Sequence, residues 1–308
     1  MRILFTGSGE FGLPTLAALL AAQHEIAAVY TQPDRPAGRG RKLAPTPIAQ
    51  FALEHGLPLI RTPDLNSESL PPADLMIVIA FGQKISPEAA IHPRLGSVNL
   101  HASLLPRFRG AAPINWAILR GEIQTGNSVI RLAQKMDAGN ILGQSTTPIG
   151  ELETAGELHD RLAAGGADLM LQTMKDLQAA RVAEVVQDDA RATLAPKLSR
   201  QSAMIDWTFP AIEISRKIRG LYPWPGCRAR LLDAAGCESA KFTLVRARVT
   251  EDEGPRWRPG EIMTAGAVAC AEQAVEIVEI QPDGKRPMPL SDYRRGNPWM
   301  PGMRLESI

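Results

Sequence analysis

The chain has 308 residues, 44% hydrophobic and 22% charged, with 34 Lys and Arg against 33 Asp and Glu for a formal net charge of +1. This profile excludes a collagen-like or disordered chain and shows no global basic excess directed at nucleic acid. The three cysteines, Cys227, Cys237 and Cys270, are odd in number and widely spaced, which suggests neither a disulfide framework nor a zinc site. No run approaches the roughly 18 apolar residues of a membrane span. The start shows no basic segment leading into an apolar one. A cytoplasmic chain without a membrane partner is expected.

Strand and helix signals alternate through the first half. Residues 2–6 form a short β run, 13–22 a helical pattern and 25–31 a second strand. Residues 47–55 are helical and 57–60 a short strand. The near-continuous apolar run 74–81 has the character of a strand buried on both faces. Strands at 97–101 and 128–132 follow, with helices at 112–119 and 154–180. The alternation predicts an α/β fold, Rossmann-like, with a doubly wound, mostly parallel sheet over residues 1–180. Residues 181–206 are mixed and polar, as in a linker with short elements. Beyond them, "CRARLLD", "KFTLVRARVT", "GEIMTAG" and "AVEIVEIQ" are short alternating strands separated by turn residues. They predict a small OB-like β-barrel over residues 207–308. Trp207, Trp224 and Trp299 are expected to pack the linker, the barrel and its last strand.

Gly7, Gly9 and Gly12 spell the G-x-G-x-x-G of a dinucleotide-binding turn, and Asp34 stands near the place of the ribose-binding acid. Glycines at such a turn can equally serve close packing alone. The long loop that follows, "TQPDRPAGRGRKLAPTP", carries Arg35, Arg39, Arg41 and Lys42. Loops of this length between βα elements are usually functional. Glycine-spaced basic residues there suit phosphates or grooves of nucleic acid. Arg107 and Arg109 are expected to extend that basic surface, and Lys285, Arg286, Arg294, Arg295 and Arg304 to add charge on the C-terminal domain.

Residues 97–121, "SVNLHASLLPRFRGAAPINWAILRG", contain no Asp or Glu. Asn99 and His101 are two apart on a strand, so they share a face near its carboxyl end. An amide and an imidazole so placed suit oxyanion stabilisation and proton handling, or else the satisfaction of loop backbone. Asp137 lies in a turn before an apolar strand. Turn residue is its commonest role; beside His101 its carboxylate would fix the ring and hold its charge.

The stretch "SVNLHASLLPRFRGAAPINWAI", together with "MDAG", resembles the formyltransferases that use 10-formyltetrahydrofolate. "YTQPDRPAGRGRKLAPTPI" resembles the branch of that family acting on methionyl-tRNA. "KLSRQSAMIDW", "IRGLYPWPG" and "YRRGNPWMPGMRL" resemble its C-terminal domain, so the likeness covers nearly the whole chain. It implies Asn99, His101 and Asp137 as catalytic residues. It implies Ser103, Leu104, Leu105, Pro106, Phe81 and Gly82 as folate contacts, and Arg35, Arg39, Arg41 and Lys42 as tRNA contacts. It further implies 10-formyltetrahydrofolate as formyl donor, initiator Met-tRNA as acceptor, no metal, no NAD or FAD, and a monomer. Alternatives are a formyltransferase acting on another acceptor, a dehydrogenase built on Gly7, Gly9 and Gly12, and a non-catalytic RNA-binding protein.

Overall fold

The structure is a computed structural model that describes residues 1–37, 42–251, 254 and 257–308. Arg39 and Arg41 lie outside the described residues. The chain divides into two units that do not follow a single cut. The first holds Met1–Pro113, Thr125–Thr147 and His159–Ala195, and the second holds Ile114–Gln124, Pro148–Leu158 and Pro196–Ile308.

The elements of the first half are β1 (Arg2–Gly7), α1 (Leu13–Ala21), β2 (Glu25–Thr31), β3 (Arg35–Ala37), β4 (Lys42–Ala44), α2 (Pro47–Glu54), β5 (Leu59–Arg61), β6 (Leu75–Ile79), α3 (Pro87–Ile91) and β7 (Ser97–His101). There follow β8 (Arg109–Gly110), α4 (Pro113–Leu119), β9 (Gln124–Arg131), β10 (Ile141–Pro148), α5 (Ala155–Gln178) and β11 (Leu194–Ala195). Seven of these strands make one sheet in the order β10-β9-β7-β6-β1-β2-β5. Pairings β1–β2, β1–β6, β2–β5 and β6–β7 are parallel, whereas β7–β9 is antiparallel. β6 is apolar at every position and fully buried, as its place between β1 and β7 requires. From β1 the chain moves outward through β2 and β5, then returns to the opposite side of β1 with β6. That reversal opens a crevice outside the carboxyl ends of β1 and β6, where open α/β sheets bind ligands.

β7 presents two different faces. Leu100 lies against Gly166 of α5, where an added Cβ would come within 2.7 Å of the leucine, and the neighbouring Asn127 on β9 donates to Leu162 O at 2.8 Å. Asn99 and His101 point to the other face, opposite Ile130 and Ser128 of β9. The sequence leads one to expect a long, irregular loop after β2. Its described ends instead pair as a short hairpin, with Arg35 opposite Ala44 and Ala37 opposite Lys42.

The glycines of the first turn serve packing. An added Cβ would approach Ile79 O to 2.8 Å at Gly7, the Ala80 side chain to 3.3 Å at Gly9, and Phe5 to 3.3 Å at Gly12. A 3₁₀ turn, Glu10–Gly12, intervenes before α1, and Pro14 removes one N–H from the first turn of that helix. The helix end is therefore poorly built to grip a pyrophosphate. Asp34, in the place of the ribose-binding acid, is ion-paired with Arg61 at 3.0 Å.

The second unit is built on α6 (Ala211–Gly220), β12 (Cys227–Leu232), β13 (Glu238–Thr250), β14 (Val268–Ala269), β15 (Ala274–Pro282), β16 (Met288–Pro289), α7 (Leu290–Tyr293) and β17 (Arg304–Ser307). The antiparallel order is β14-β15-β13-β12-β17, with β16 on β15. The expected strand "GEIMTAG" is instead a short bridging segment. Glu261 pairs with Arg304 and Ile262 with Val268, which links β17 to β14 and nearly closes the barrel. Phe242, Tyr293 and Trp299 pack together inside, and Trp299 Nε1 donates to Gly266 O at 2.8 Å. Trp207 is buried, but Trp224 is 55% exposed, contrary to the expected packing role. It stands between Pro223 and Pro225 after α6 ends, where no regular element carries the ring inward.

Candidate active site

His101 ends β7 and is 7% exposed. Its Nε2 lies 2.9 Å from Phe108 O. A carbonyl only accepts, so Nε2 carries the proton and donates. Nδ1 faces Asp137 Oδ1 at 3.7 Å. Asn99, two residues earlier on the same face, makes no side-chain hydrogen bond among the described residues, which leaves its amide available. The three residues singled out in the sequence thus lie in one unit, two on a shared strand face and the third against the imidazole.

Asp137 reaches His101 by an indirect route. β9 runs antiparallel to β7 and ends at Arg131, opposite Val98. The chain then doubles back, and Asp137 adopts a left-handed backbone with φ of 53°. Asp is one of the few residues that tolerate this region. Its Oδ2 accepts the backbone N–H of Gly110 at 2.9 Å. Gly139 completes the turn, since a Cβ there would fall 1.9 Å from Arg131 O.

Segment 103–106 is held from below by a network that the sequence does not announce. Ser128 Oγ donates to Ser103 O at 2.6 Å and accepts from Leu105 N at 3.1 Å and from Gln144 Nε2 at 2.8 Å. Gln144 Nε2 also donates to Leu105 O at 3.0 Å. Leu105 is buried with Ile130 and Ile141, while Leu104 and Pro106 are partly exposed. The expected contact at Phe81 also turns inward: its ring lies in the core with Leu4, Tyr30 and Met76. Its carbonyl accepts from Gln32 Nε2 at 2.7 Å, and Gly82 follows with φ of +73° at the crevice between β1 and β6.

Arg109 corrects an expectation. Its place in a basic segment suggests a surface role, yet it is 4% exposed. It donates to Gln187 Oε1 from Nε at 3.1 Å and Nη2 at 2.7 Å, and to Asp189 from Nη1 at 2.7 Å. Lys135 and Arg109 together hold the Asp189 carboxyl below its usual range. Alternation along the short β8 turns the guanidinium inward, toward the polar stretch 187–189. Nothing periodic in "VVQDDAR" indicates that Gln187 and Asp189 fold back here. Arg107 remains exposed, with its guanidinium 5.2 Å from the Phe108 ring centre. Arg35 donates to Gln32, and Lys42 is exposed on the hairpin. Among the described residues no cluster of three or more His, Cys, Asp or Glu could hold a metal, and no helix is long and apolar enough to cross a membrane.

The Formyl transferase family model matches residues 1–174, and the Formyl transferase C-terminal domain matches residues 197–298. The methionyl-tRNA formyltransferase of Methylococcus capsulatus is 43% identical over 95% of this chain and 96% of its own. That of Moorella thermoacetica is 42% identical over the whole of both chains. The chain belongs to the formyltransferase family, in its methionyl-tRNA branch. A solved sugar 3N-formyltransferase, WlaRD, shares the fold with a TM-score of 0.66 at 16% identity, over 93% of this chain and 99% of that one. For a formyltransferase, an amide and an imidazole on one strand face with a carboxylate at the ring nitrogen is chemically apt. Groups of this kind can donate to a developing oxyanion and hold a proton.

Proposed function

We propose that this formyltransferase moves the formyl group from N10 of 10-formyltetrahydrofolate to the α-amino group of methionine carried on initiator tRNA. The full-length likeness to methionyl-tRNA formyltransferases supports the acceptor. WlaRD was solved in the presence of 5-N-formyl-THF, in keeping with a folate donor. The observation that carries the site assignment is Asp137 standing 3.7 Å from Nδ1 of His101, with Asn99 on the same strand face.

The neutral amine attacks the formyl carbon, forming a C–N bond as the carbonyl π pair moves to oxygen. Asn99 donates its amide N–H to that oxygen, an interaction worth roughly 3 kcal/mol in comparable sites. Phe108 O holds the Nε2 proton of His101. Nδ1 is therefore the nitrogen that exchanges a proton, and Asp137 supports the charge when it does. The attacking nitrogen loses its proton to this pair. The oxyanion pair then re-forms the C=O bond as the old C–N bond breaks, and N10 leaves with that bond's electrons and takes a proton in exchange. Holding donor and acceptor together can supply roughly a further 7–11 kcal/mol.

The basic residues after β2 are the proposed tRNA contact: Arg35 and Lys42 on the described hairpin, with Arg39 and Arg41 between them. The nearly closed barrel is of a kind that often binds nucleic acid. The enzyme acts as a monomer in the cytoplasm in this reading.

Formyl transfer from labelled 10-formyltetrahydrofolate to Met-tRNA by the purified protein tests the reaction. Asn99→Ala, His101→Ala and Asp137→Ala should each lower kcat by about 100-fold or more. Donor affinity should change far less. Near-normal turnover in any two of them removes the triad assignment.

A further inference from the structure

We infer that Gln187 is the positioning residue of Asp137, braced by Arg109. The inference rests on the proposed role of Asp137. The Gln187 carboxamide is 9% exposed and uses every hydrogen-bonding position it has. Its Nε2 donates to Asp137 O at 2.8 Å and to Gly139 O at 2.7 Å. Its Oε1 accepts twice from Arg109, at 3.1 and 2.7 Å. One NH2 group thus collects two carbonyls that lie two residues apart, which fixes the backbone on both sides of Ala138.

That constraint matters because Asp137 is in the left-handed region, with φ of 53°. An L-residue leaves this region readily unless its surroundings hold it there. A rotation at Asp137 would swing its carboxylate away from both Gly110 N and His101 Nδ1. Segment 108–110 then links all the parts. Phe108 O receives the His101 Nε2 proton, Gly110 N binds Asp137, and the Arg109 side chain between them braces Gln187. The far side is tied by Thr193, whose Oγ1 accepts Phe108 N at 2.9 Å and whose carbonyl accepts Arg109 N at 2.9 Å. A carboxamide is required at position 187, because only it offers two donors to the turn and two acceptors to the guanidinium.

Gln187→Glu separates this role from folding. Glutamate keeps the Arg109 pair, now as an ion pair, but offers the turn no donors. In the full-length enzyme, Q187E should lower kcat at least ten-fold, with the KM for 10-formyltetrahydrofolate within two-fold of the parent. Arg109→Met, which frees the carboxamide to turn, should act in the same direction. In a D137A background Q187E should change kcat by less than two-fold, since its effect passes through Asp137. The His101 ring signals in ¹H–¹⁵N spectra should shift in Q187E at constant pH. That readout holds even if the parent enzyme proves inactive on Met-tRNA, an outcome that would count against the proposed reaction rather than the positioning. Turnover of Q187E within two-fold of the parent, or an undiminished Q187E effect in D137A, overturns the inference. So does loss of folding in both Q187E and Q187M, which would make the carboxamide a stability element only.

Discussion

Gly110 gives its backbone N–H to the carboxylate of Asp137 at 2.9 Å, joining positions 27 residues apart in sequence. The position cannot carry a larger residue easily. Its φ is +125°, and an added Cβ would fall 2.6 Å from Ala195 O. Gly110→Ala should therefore cost about 1–3 kcal/mol of stability. It should also reduce kcat by about ten-fold or more through the displaced N–H. Urea midpoints and steady-state kinetics measure the two effects separately. An alanine variant with parental kcat would show that this bond does not set the carboxylate.

Much of this is legible in the sequence, for identifiable reasons. β6 shows itself as an unbroken apolar run because both its faces are buried. Asn99 and His101 show themselves through the two-residue repeat of a strand. Asp137 can be named but not placed, since nothing in "QKMDAGN" records that the chain doubles back from Arg131. The inward turn of Arg109 is illegible for a related reason. An arginine in a basic segment has the same sequence appearance on a surface as beneath one, and its partners Gln187 and Asp189 lie about 80 residues away. The barrel is recognisable from alternation, whereas its near-closure depends on pairing of positions 260–262 with 268–269 and 303–305, and alternation does not tell which strands pair.

Ser128 should govern the donor side of the site. Its hydroxyl ties Ser103 O, Leu105 N and Gln144 together beneath the 103–106 segment. Ser128→Ala removes these bonds, but Leu105 N–H keeps Ser103 O at 3.2 Å, so the cost should be about 0.5–1.5 kcal/mol for each bond lost. The KM for 10-formyltetrahydrofolate should rise several-fold while the KM for Met-tRNA stays near its parental value. A variant with both KM values unchanged would detach this network from donor binding.

Acid should weaken a bridge in the second unit. Arg246 Nη1 donates to Glu157 Oε2 at 2.8 Å, and the guanidinium holds that carboxyl down at about 2 against an ordinary 4.5. Because the folded value lies below the unfolded one, the pair's stabilisation is present above pH 4.5 and is lost as pH falls from 4.5 toward about 2. Glu157 is 48% exposed, so screening keeps the contribution at or below about 1 kcal/mol. Glu157→Gln should be slightly less stable than the parent near pH 7, and the gap should narrow through that acid range. Urea midpoints taken as a function of pH give the answer; a constant gap would assign the effect to packing.

The hairpin charges should act on the tRNA alone. Arg35→Ala combined with Lys42→Ala removes two cations from the described part of the loop. The KM for Met-tRNA should rise, with the donor KM unmoved. The slope of log KM against log salt should fall by roughly one for each phosphate no longer neutralised. An unchanged salt slope would leave these two residues out of the tRNA-binding surface.

The bridge at Gly260–Ile262 has a consequence for how the second unit can meet anything else. Gly260 N donates to Ala269 O on β14, while Leu305 N on β17 donates back to Gly260 O. Among the described residues, these bonds cover backbone of β14 and β17 that would otherwise be open to a passing strand, which works against edge-to-edge aggregation. Along that seam, recognition falls to side chains and turns rather than to strand addition.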